Sequence, residues 1–430
     1  DLATITHRHR WADGSSLKTT VRDGVFRRDL WATQLNGLGA GVTQASFGDA
    51  TAVARGTQTR AGEEHHTFAQ SDYLTTNQWF GRNNQLLLGA DVARERSSRD
   101  GYRNIPVRPA TTVGLAANSP LADARMRFAQ TQFTSTAAGL YAQDTIDLVP
   151  QWKLVGGLRY DRFSGNFDRA GNAAPNNTSL SRSDGVWSKR AGILYQPTEE
   201  VSYYASYGTS FNTSGDLYQY DANSANTPPE SSRNIEIGAK WELWDGDLSL
   251  RTALARTQKY NERNTDVNQA TGEFLLSGQR HTDALEFEVA GRLTPRWDVF
   301  AGIAFMHAVI DKAGSSASAR ATVGLNPGLT PKRQANLWTT YKLTDRWRVG
   351  GGLTYASENG PASANAAALA NRAPGYTRWD AMLEYAYNDN HSFRLNVDNL
   401  TSQVYYSSLY QGWPSVAPLR TVRATWTGRF

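Results

Sequence analysis

Three polar segments of this 430-residue chain combine aromatic rings with cationic or amide side chains. Arg99, Tyr102 and Arg103 form one, within a loop expected at 99–130. Tyr218 and Tyr220 share a face in the run Asp216-Leu217-Tyr218-Gln219-Tyr220-Asp221, in a loop expected at 214–232. Tyr405, Tyr406, Tyr410 and Trp413 crowd the segment before Pro414. A guanidinium forks onto paired oxygens and a phenol offers a flat apolar face with a polar tip. Such segments suit a large, oxygen-rich, anionic ligand, although packing of loops on one another would use the same residues.

Other reactive side chains point elsewhere. Glu63-Glu64-His65-His66 looks metal-competent, yet adjacent residues of an extended chain face opposite ways, so a solvated rim at the mouth of an external loop is expected. His7 and His9 share a face with Ile5 and Trp11, which suggests interfacial packing. No metal site or protein-bound cofactor is assigned. The pairs Arg159/Asp161, Glu286/Glu288 and Arg394/Asp398 place charges two residues apart, as a polar wall does. The sequence contains no His-Glu-x-x-His, no Gly-rich phosphate loop between strand and helix, and no nucleophile-base-orienter pattern, so an enzyme is not expected. The arginines are scattered singly along strands and form no stripe, which argues against nucleic acid.

The elements that hold these groups alternate with a period of two. In Thr421-Val422-Arg423-Ala424-Thr425-Trp426-Thr427-Gly428-Arg429-Phe430 one face is apolar and the other polar. The same holds for Trp152, Leu154, Gly156, Leu158 and Tyr160 against Lys153, Val155, Gly157, Arg159 and Asp161. Trp297, Val299, Ala301, Ile303 and Phe305 share a face, and Phe393, Leu395 and Val397 oppose Arg394, Asn396 and Asp398. No stretch reaches the roughly 20 apolar residues of a membrane helix. A transmembrane barrel needs only every second residue to be apolar, because closure satisfies the backbone groups that lipid cannot. With no cysteine, disulfides and thiolate metal sites are excluded. Asp1-Leu2-Ala3 begins without the charged and apolar regions of a signal peptide.

Strands are predicted at 1–11, 15–31, 67–80, 84–98, 131–149, 152–168, 186–197, 201–213, 233–243, 246–266, 280–293, 297–311, 332–343, 347–358, 376–388, 391–401 and 421–430, seventeen in all. Short turns such as Ala12-Asp13-Gly14, Pro150-Gln151, Trp244-Asp245 and Thr344-Asp345-Arg346 alternate with long loops near 32–66, 99–130, 169–185, 214–232, 267–279, 312–331, 359–375 and 402–420. Outer-membrane barrels have short periplasmic turns and long external loops, so the first and last strands both run inward. Trp152, Trp297 and Trp347 begin strands just after such turns, and Trp11, Tyr195 and Tyr341 end strands just before them, as a periplasmic aromatic girdle would.

Leu140-Tyr141-Ala142-Gln143-Asp144, followed by Trp152-Lys153-Leu154-Val155-Gly156-Gly157-Leu158-Arg159-Tyr160-Asp161, resembles the central barrel segment of TonB-dependent siderophore receptors. Ala205-Ser206-Tyr207-Gly208-Thr209-Ser210-Phe211, Pro228-Pro229-Glu230 with Arg233-Asn234-Ile235-Glu236-Ile237-Gly238-Ala239-Lys240-Trp241, Leu285-Glu286-Phe287-Glu288 and Pro331-Lys332 are similar to that family's midbarrel. So are Val397-Asp398-Asn399-Leu400 and Tyr405-Tyr406 before the closing strand. The resemblance is closest to the catecholate type and covers the barrel alone. It implies an all-β transmembrane antiparallel barrel of about 22 strands, with residues 1–430 forming the last seventeen. About five strands and the N-terminal plug with its TonB-coupling motif would then be missing from this chain. It also implies a monomer in the Gram-negative outer membrane, in contact with lipid and lipopolysaccharide. Such a protein imports ferric siderophores with energy from TonB and its inner-membrane partners, the iron arriving already chelated. A passive porin-like channel of sixteen or eighteen strands is the alternative. The mixed charge of loops 32–66 and 99–130 disfavours the single-sign constriction that a porin requires. A soluble propeller or sandwich would need repeats of fixed period.

Overall fold

The computed structural model describes residues 1–38, 42, 45–79, 81–115, 121–170, 178–213, 228–262, 278–314, 317–361, 372–410 and 413–429. The strands are β1 (Leu2–Arg10), β2 (Ser16–Leu38), β3 (Ala52–Trp79), β4 (Arg82–Arg103), β5 (Thr111–Thr112), β6 (Met126–Val149), β7 (Trp152–Ala170), β8 (Thr178–Tyr195), β9 (Val201–Asn212) and β10 (Glu230–Leu243). They continue with β11 (Leu248–Glu262), β12 (Gly278–Thr294), β13 (Trp297–Lys312), β14 (Arg333–Lys342), β15 (Trp347–Ala356), β16 (Tyr376–Ala386), β17 (His391–Asp398), β18 (Tyr406–Tyr410), β19 (Trp413–Val416) and β20 (Thr421–Gly428). One helical turn, α1 (Ala317–Arg320), lies between β13 and β14.

Eighteen strands form one sheet, in which β5 is a two-residue attachment to β3. The other seventeen pair antiparallel in succession from β1 to β17 and then β20, so the strand count read from the sequence holds. Among the described residues no pairing joins β1 to β20. Phe430 lies outside those residues.

Register fixes the two faces. Ala90, Leu140, Tyr160 and Trp187 are cross-strand neighbours on one face, and Gly89, Tyr141, Arg159 and Ser188 form the adjacent row on the other. Leu140 and Trp187 are 64% and 62% exposed, and Leu158, Ile237 and Leu254 are similarly bare. Contiguous apolar surface on this scale is not tolerated in water and belongs in hydrocarbon. The predicted girdle is present as ring contacts across the wall at the periplasmic ends of the strands. Trp11 meets Tyr73 at 5.9 Å, Trp152 stacks on Tyr195 at 4.5 Å, and Trp347 meets Tyr385 at 4.6 Å. The His9 ring lies 4.6 Å from Trp11, as its face predicts.

Several boundaries need correction. Loop 32–66 was expected to be external, but β2 and β3 stay paired, with one register shift between Leu35 and Gly37, up to Leu38↔Val53, leaving 39–51 as the connection. β4 and β6 likewise run to Arg103 and Met126. Loop 402–420 contains the β18–β19 hairpin, and 312–331 contains α1. The cause is that alternation marks only the part of a strand that faces lipid. Above the bilayer the outward face of β2 and β3 carries Asp23, Arg27, Glu63 and Thr67 while backbone pairing continues. Glu63-Glu64-His65-His66 therefore sits within β3 rather than at a loop mouth. His65 bonds Asp23 at 2.8 Å and His66 approaches Glu64 at 3.5 Å, so the two histidines do diverge.

The periplasmic turns are built locally. Between β1 and β2 the Ser15 amide and hydroxyl both donate to Asp13 Oδ1, at 2.9 and 2.6 Å. The hydroxyl bond contributes most to holding the Asp13 carboxyl below its ordinary value, and the amide bond comes next. A depressed folded-state value means that this stabilisation is complete above the ordinary carboxylate pKa and is lost as pH falls through the lower folded value. Protection of the Ser15 amide, its exchange relative to the unprotected rate at the same pH, should therefore fall only below about pH 4. Asp13→Asn, which keeps an acceptor, should abolish that acid step; an unchanged pH profile would refute the assignment.

Candidate functional site

The inner face carries the polar chemistry, and small residues make room for it. A Cβ on Gly89 would collide with the Tyr141 ring, and one on Gly139 with the Arg159 guanidinium. Glycine at these positions lets Tyr141 and Arg159 lie flat along the wall. Arg159 donates from Nη1 to Asp91 Oδ2 at 2.6 Å and from Nη2 to Asp161 Oδ1 at 2.6 Å. Its guanidinium carbon sits 5.2 Å from the Tyr141 ring centroid. The Tyr141 hydroxyl donates to Asp72 and accepts from Gln70 at 2.9 Å. One network thus binds β3, β4, β6 and β7 together on the lumen side.

Further around the wall, Tyr204, Glu236, Lys240, Arg251, Glu286 and Glu288 line a concavity. Tyr204 donates to Glu236 Oε1 at 2.6 Å, and the Lys240 ammonium lies 5.6 Å from the Tyr204 ring. Two other charged groups of the wall are paired: Arg394 bonds Glu384, and Arg423 bonds Asp398 at 2.9 Å. Carboxylates paired in this way are wall elements suited to water or to a polar filling domain.

At the extracellular end β16 turns Tyr376, Arg378 and Asp380 inward, on the same face as Glu384. The Tyr405 ring stacks on Tyr376 at 4.3 Å with a 24° interplanar angle. Arg378 Nη1 donates to the Tyr405 hydroxyl at 3.2 Å, while Nη2 donates to Asp380 Oδ2 at 2.7 Å. Asp380 Oδ1 accepts the Asn399 amide at 2.8 Å. Asn399 is almost fully buried, adopts a φ of 53°, and donates from Nδ2 to the carbonyls of Gln403 and Pro418 at 2.9 and 3.2 Å. Asparagine is among the few side chains that suit this left-handed turn, and here it also ties both ends of segment 402–420 to the wall. That accounts for the Val397-Asp398-Asn399-Leu400 motif and explains why Tyr405 leans over the lumen.

The predicted site residues are distributed unevenly. Tyr405 joins the mouth cluster, whereas Tyr406 opposes Val416 in the β18–β19 hairpin and Tyr410 opposes Trp413 at its turn. Arg99 is half-buried on the inner face of β4, the face that carries Asp91, and Arg103 is exposed at that strand's end. Tyr102 belongs to a clamp. Arg125 lies 5.0 Å from the Tyr102 ring and 5.2 Å from the Trp31 ring, and it pairs with Asp29 at 2.9 Å and Asp123 at 2.8 Å. The bond to Arg125 depresses the Asp123 carboxyl. Tyr218 and Tyr220 lie outside the described residues. Tyr376, Arg378 and Asp380 were missed; their spacing of two along a correctly predicted strand was the signal available.

Residues 1–400 match the model of the TonB dependent receptor-like β-barrel family. The chain belongs to that family. This receptor is 31% identical over 381 residues to the probable TonB-dependent receptor BfrD of Bordetella pertussis, covering 81% of this chain and 50% of that protein. It is 27% identical to the catecholate siderophore receptor Fiu of Escherichia coli, covering 95% of this chain and 57% of Fiu. It spans about half the length of the curated relatives it matches. Its fold is that of the ferric-catecholate import receptor Fiu in its closed form, with a TM-score of 0.88 at 24% identity, covering 100% of this chain and 64% of that one. The siderophore receptor PiuA of Acinetobacter baumannii shares it at a TM-score of 0.86, 23% identity, 99% of this chain and 64% of that one. The receptor is accordingly an outer-membrane β-barrel protein, and its outward apolar band is the surface that meets lipid.

Proposed function

We propose that this receptor binds a ferric siderophore, of the catecholate class, at the extracellular mouth and passes it inward. The observation that carries the proposal is the Tyr376–Tyr405 stack with the Arg378 guanidinium beside it, on the lumen side of a family barrel. Flat rings complement catechol faces, and a guanidinium complements the negative oxygens around chelated iron. The catecholate siderophore receptors among the relatives support the same class. Iron held by its chelator requires no protein ligand. Arg99, Arg103, Tyr218, Tyr220, Tyr406, Tyr410 and Trp413 are proposed as outlying contacts, and Tyr102 as a residue that shapes the rim.

Import on this reading is driven by TonB and its inner-membrane partners acting through a plug domain, with no covalent chemistry in the barrel. Residues 1–430 are proposed to be barrel wall throughout, working as a monomer in lipid and lipopolysaccharide. The family match over residues 1–400 and the succession of antiparallel strands support the barrel assignment. The test is tryptophan fluorescence quenching of the full-length gene product in detergent by a ferric catecholate, with a ferric hydroxamate as comparator. Saturable catecholate binding near or below micromolar is expected, weakened about tenfold in Arg378→Ala, the loss of one charge-assisted contact. Absence of binding to either chelate, together with steady ion conductance in planar bilayers, would point instead to a passive channel.

A further inference from the structure

On the outward face of β12 and β13, where the apolar band ends, His281 and Asp283 stand two residues apart and His307 lies directly across from Asp283. One potential ligand atom from each falls within 4.8 Å of the others. His281 Nε2 is 3.9 Å from Asp283 Oδ2, and the two imidazole rings are 6.4 Å apart. The remaining nitrogen of His281 is already engaged: Nδ1 lies 2.7 and 2.9 Å from the two oxygens of Asp311. Donation of an Nδ1 proton to a carboxylate fixes the tautomer and leaves the Nε2 lone pair facing the cluster, as in carboxylate–histidine–metal triads.

We propose that His281, His307 and Asp283 form a binding site for one divalent transition-metal ion of the zinc type, with Asp311 as the positioning residue for His281. Two imidazoles and one carboxylate favour zinc, nickel or copper over magnesium or calcium, which prefer all-oxygen sites. Metal bonds of about 2.0–2.2 Å set tetrahedral donors about 3.4 Å apart, so the 3.9 Å His281–Asp283 pair would close by about half an ångström and a pair near the 4.8 Å limit by more than 1 Å, within reach of side-chain rotation. Positions left open on the ion would face outward, to water. Arg256 opposes binding in part, since it forks onto Asp283 from Nε and Nη2 at 2.6 and 2.7 Å. It also keeps that carboxylate ionised and fixed, and each oxygen retains a further lone pair. With Asp311 included, two carboxylates outnumber the one guanidinium in the cluster.

The height of the site makes it accessible. His307 lies ten residues beyond Trp297 of the periplasmic girdle. At the rise and tilt of a barrel strand that is about 25 Å, the height of the apolar band. Leu285, Phe287, Ile303 and Phe305 occupy the same face below it, and polar side chains begin at the cluster. A bound ion would clip β12 to β13 at their extracellular end.

The experiment is titration of Zn²⁺, and then of Co²⁺, into tag-free full-length receptor in detergent. Calorimetry gives the stoichiometry, and the visible bands of Co²⁺ report nitrogen ligation. One ion per chain is expected. His281→Ala and His307→Gln should each weaken binding by at least about 100-fold, and Asp311→Asn by about tenfold. Each variant would be checked for native circular dichroism, and exposed His307 is the substitution least exposed to folding failure. His65→Ala should bind as the parent does. Absence of stoichiometric binding, unchanged affinity in both histidine variants, or a loss shared by His65→Ala would each overturn the proposal.

Discussion

Ile303→Arg is expected to lower stability in lipid vesicles by about 2–4 kcal/mol, the cost of an arginine on the lipid face near the bilayer midplane. Ile303 pairs with Phe287 on one side and Ala335 on the other, six residues above the girdle position Trp297. Its whole row meets lipid, so the new charge has neither water nor a partner there. Arg394→Ser should cost less than about 1 kcal/mol, because Arg394 is half-exposed on the lumen side and its ion pair with Glu384 is solvent-screened. Equilibrium unfolding in urea from vesicles measures both. Equal losses would mean that the facing of β13 or β17 has been read wrongly.

Arg159→Ala should cost about 2–3 kcal/mol in the same assay, more than truncation of any other lumen cation described above. Arg159 donates to both Asp91 and Asp161, whose side chains are only 14% and 15% exposed. Its loss leaves two carboxylates facing one another beside Asp72, and the Tyr141 ring loses its cationic neighbour. Arg159→Lys should recover less than half, since a single ammonium cannot fork onto both acids. Asp91→Asn in the Arg159→Ala background should restore part of the loss by relieving the repulsion. Wild-type stability in Arg159→Ala would show that lumen water alone satisfies these acids.

Legibility along the chain followed the physics of each surface. Where a strand crosses hydrocarbon, every second residue must be apolar, so 152–168 and 297–311 were predicted within a few residues of β7 and β13. Where β2 and β3 rise above the bilayer, backbone pairing continues without that constraint, and the signal fades although the strands do not. The Arg125 clamp illustrates the same limit: Trp31, Tyr102 and Arg125 are separated by up to 94 residues, and nothing in their local sequence links them. The anchoring role of Asn399 was visible only as a family motif, because its partners, Asp380, Gln403 and Pro418, converge from both sides of it.

The sequence by itself determined the all-β class, the seventeen successive strands, the two faces of the wall and the girdle. Each follows from a period of two and from short turns, which are local properties of the chain. Only the tertiary structure decided which polar groups meet. Arg159 reaches Asp91 across 68 residues, Tyr405 stacks on Tyr376 across 29, and His307 lies opposite Asp283 across 24. Those meetings depend on strand register, and register is set by cross-strand hydrogen bonding and by whole faces finding their solvent, which no single segment encodes.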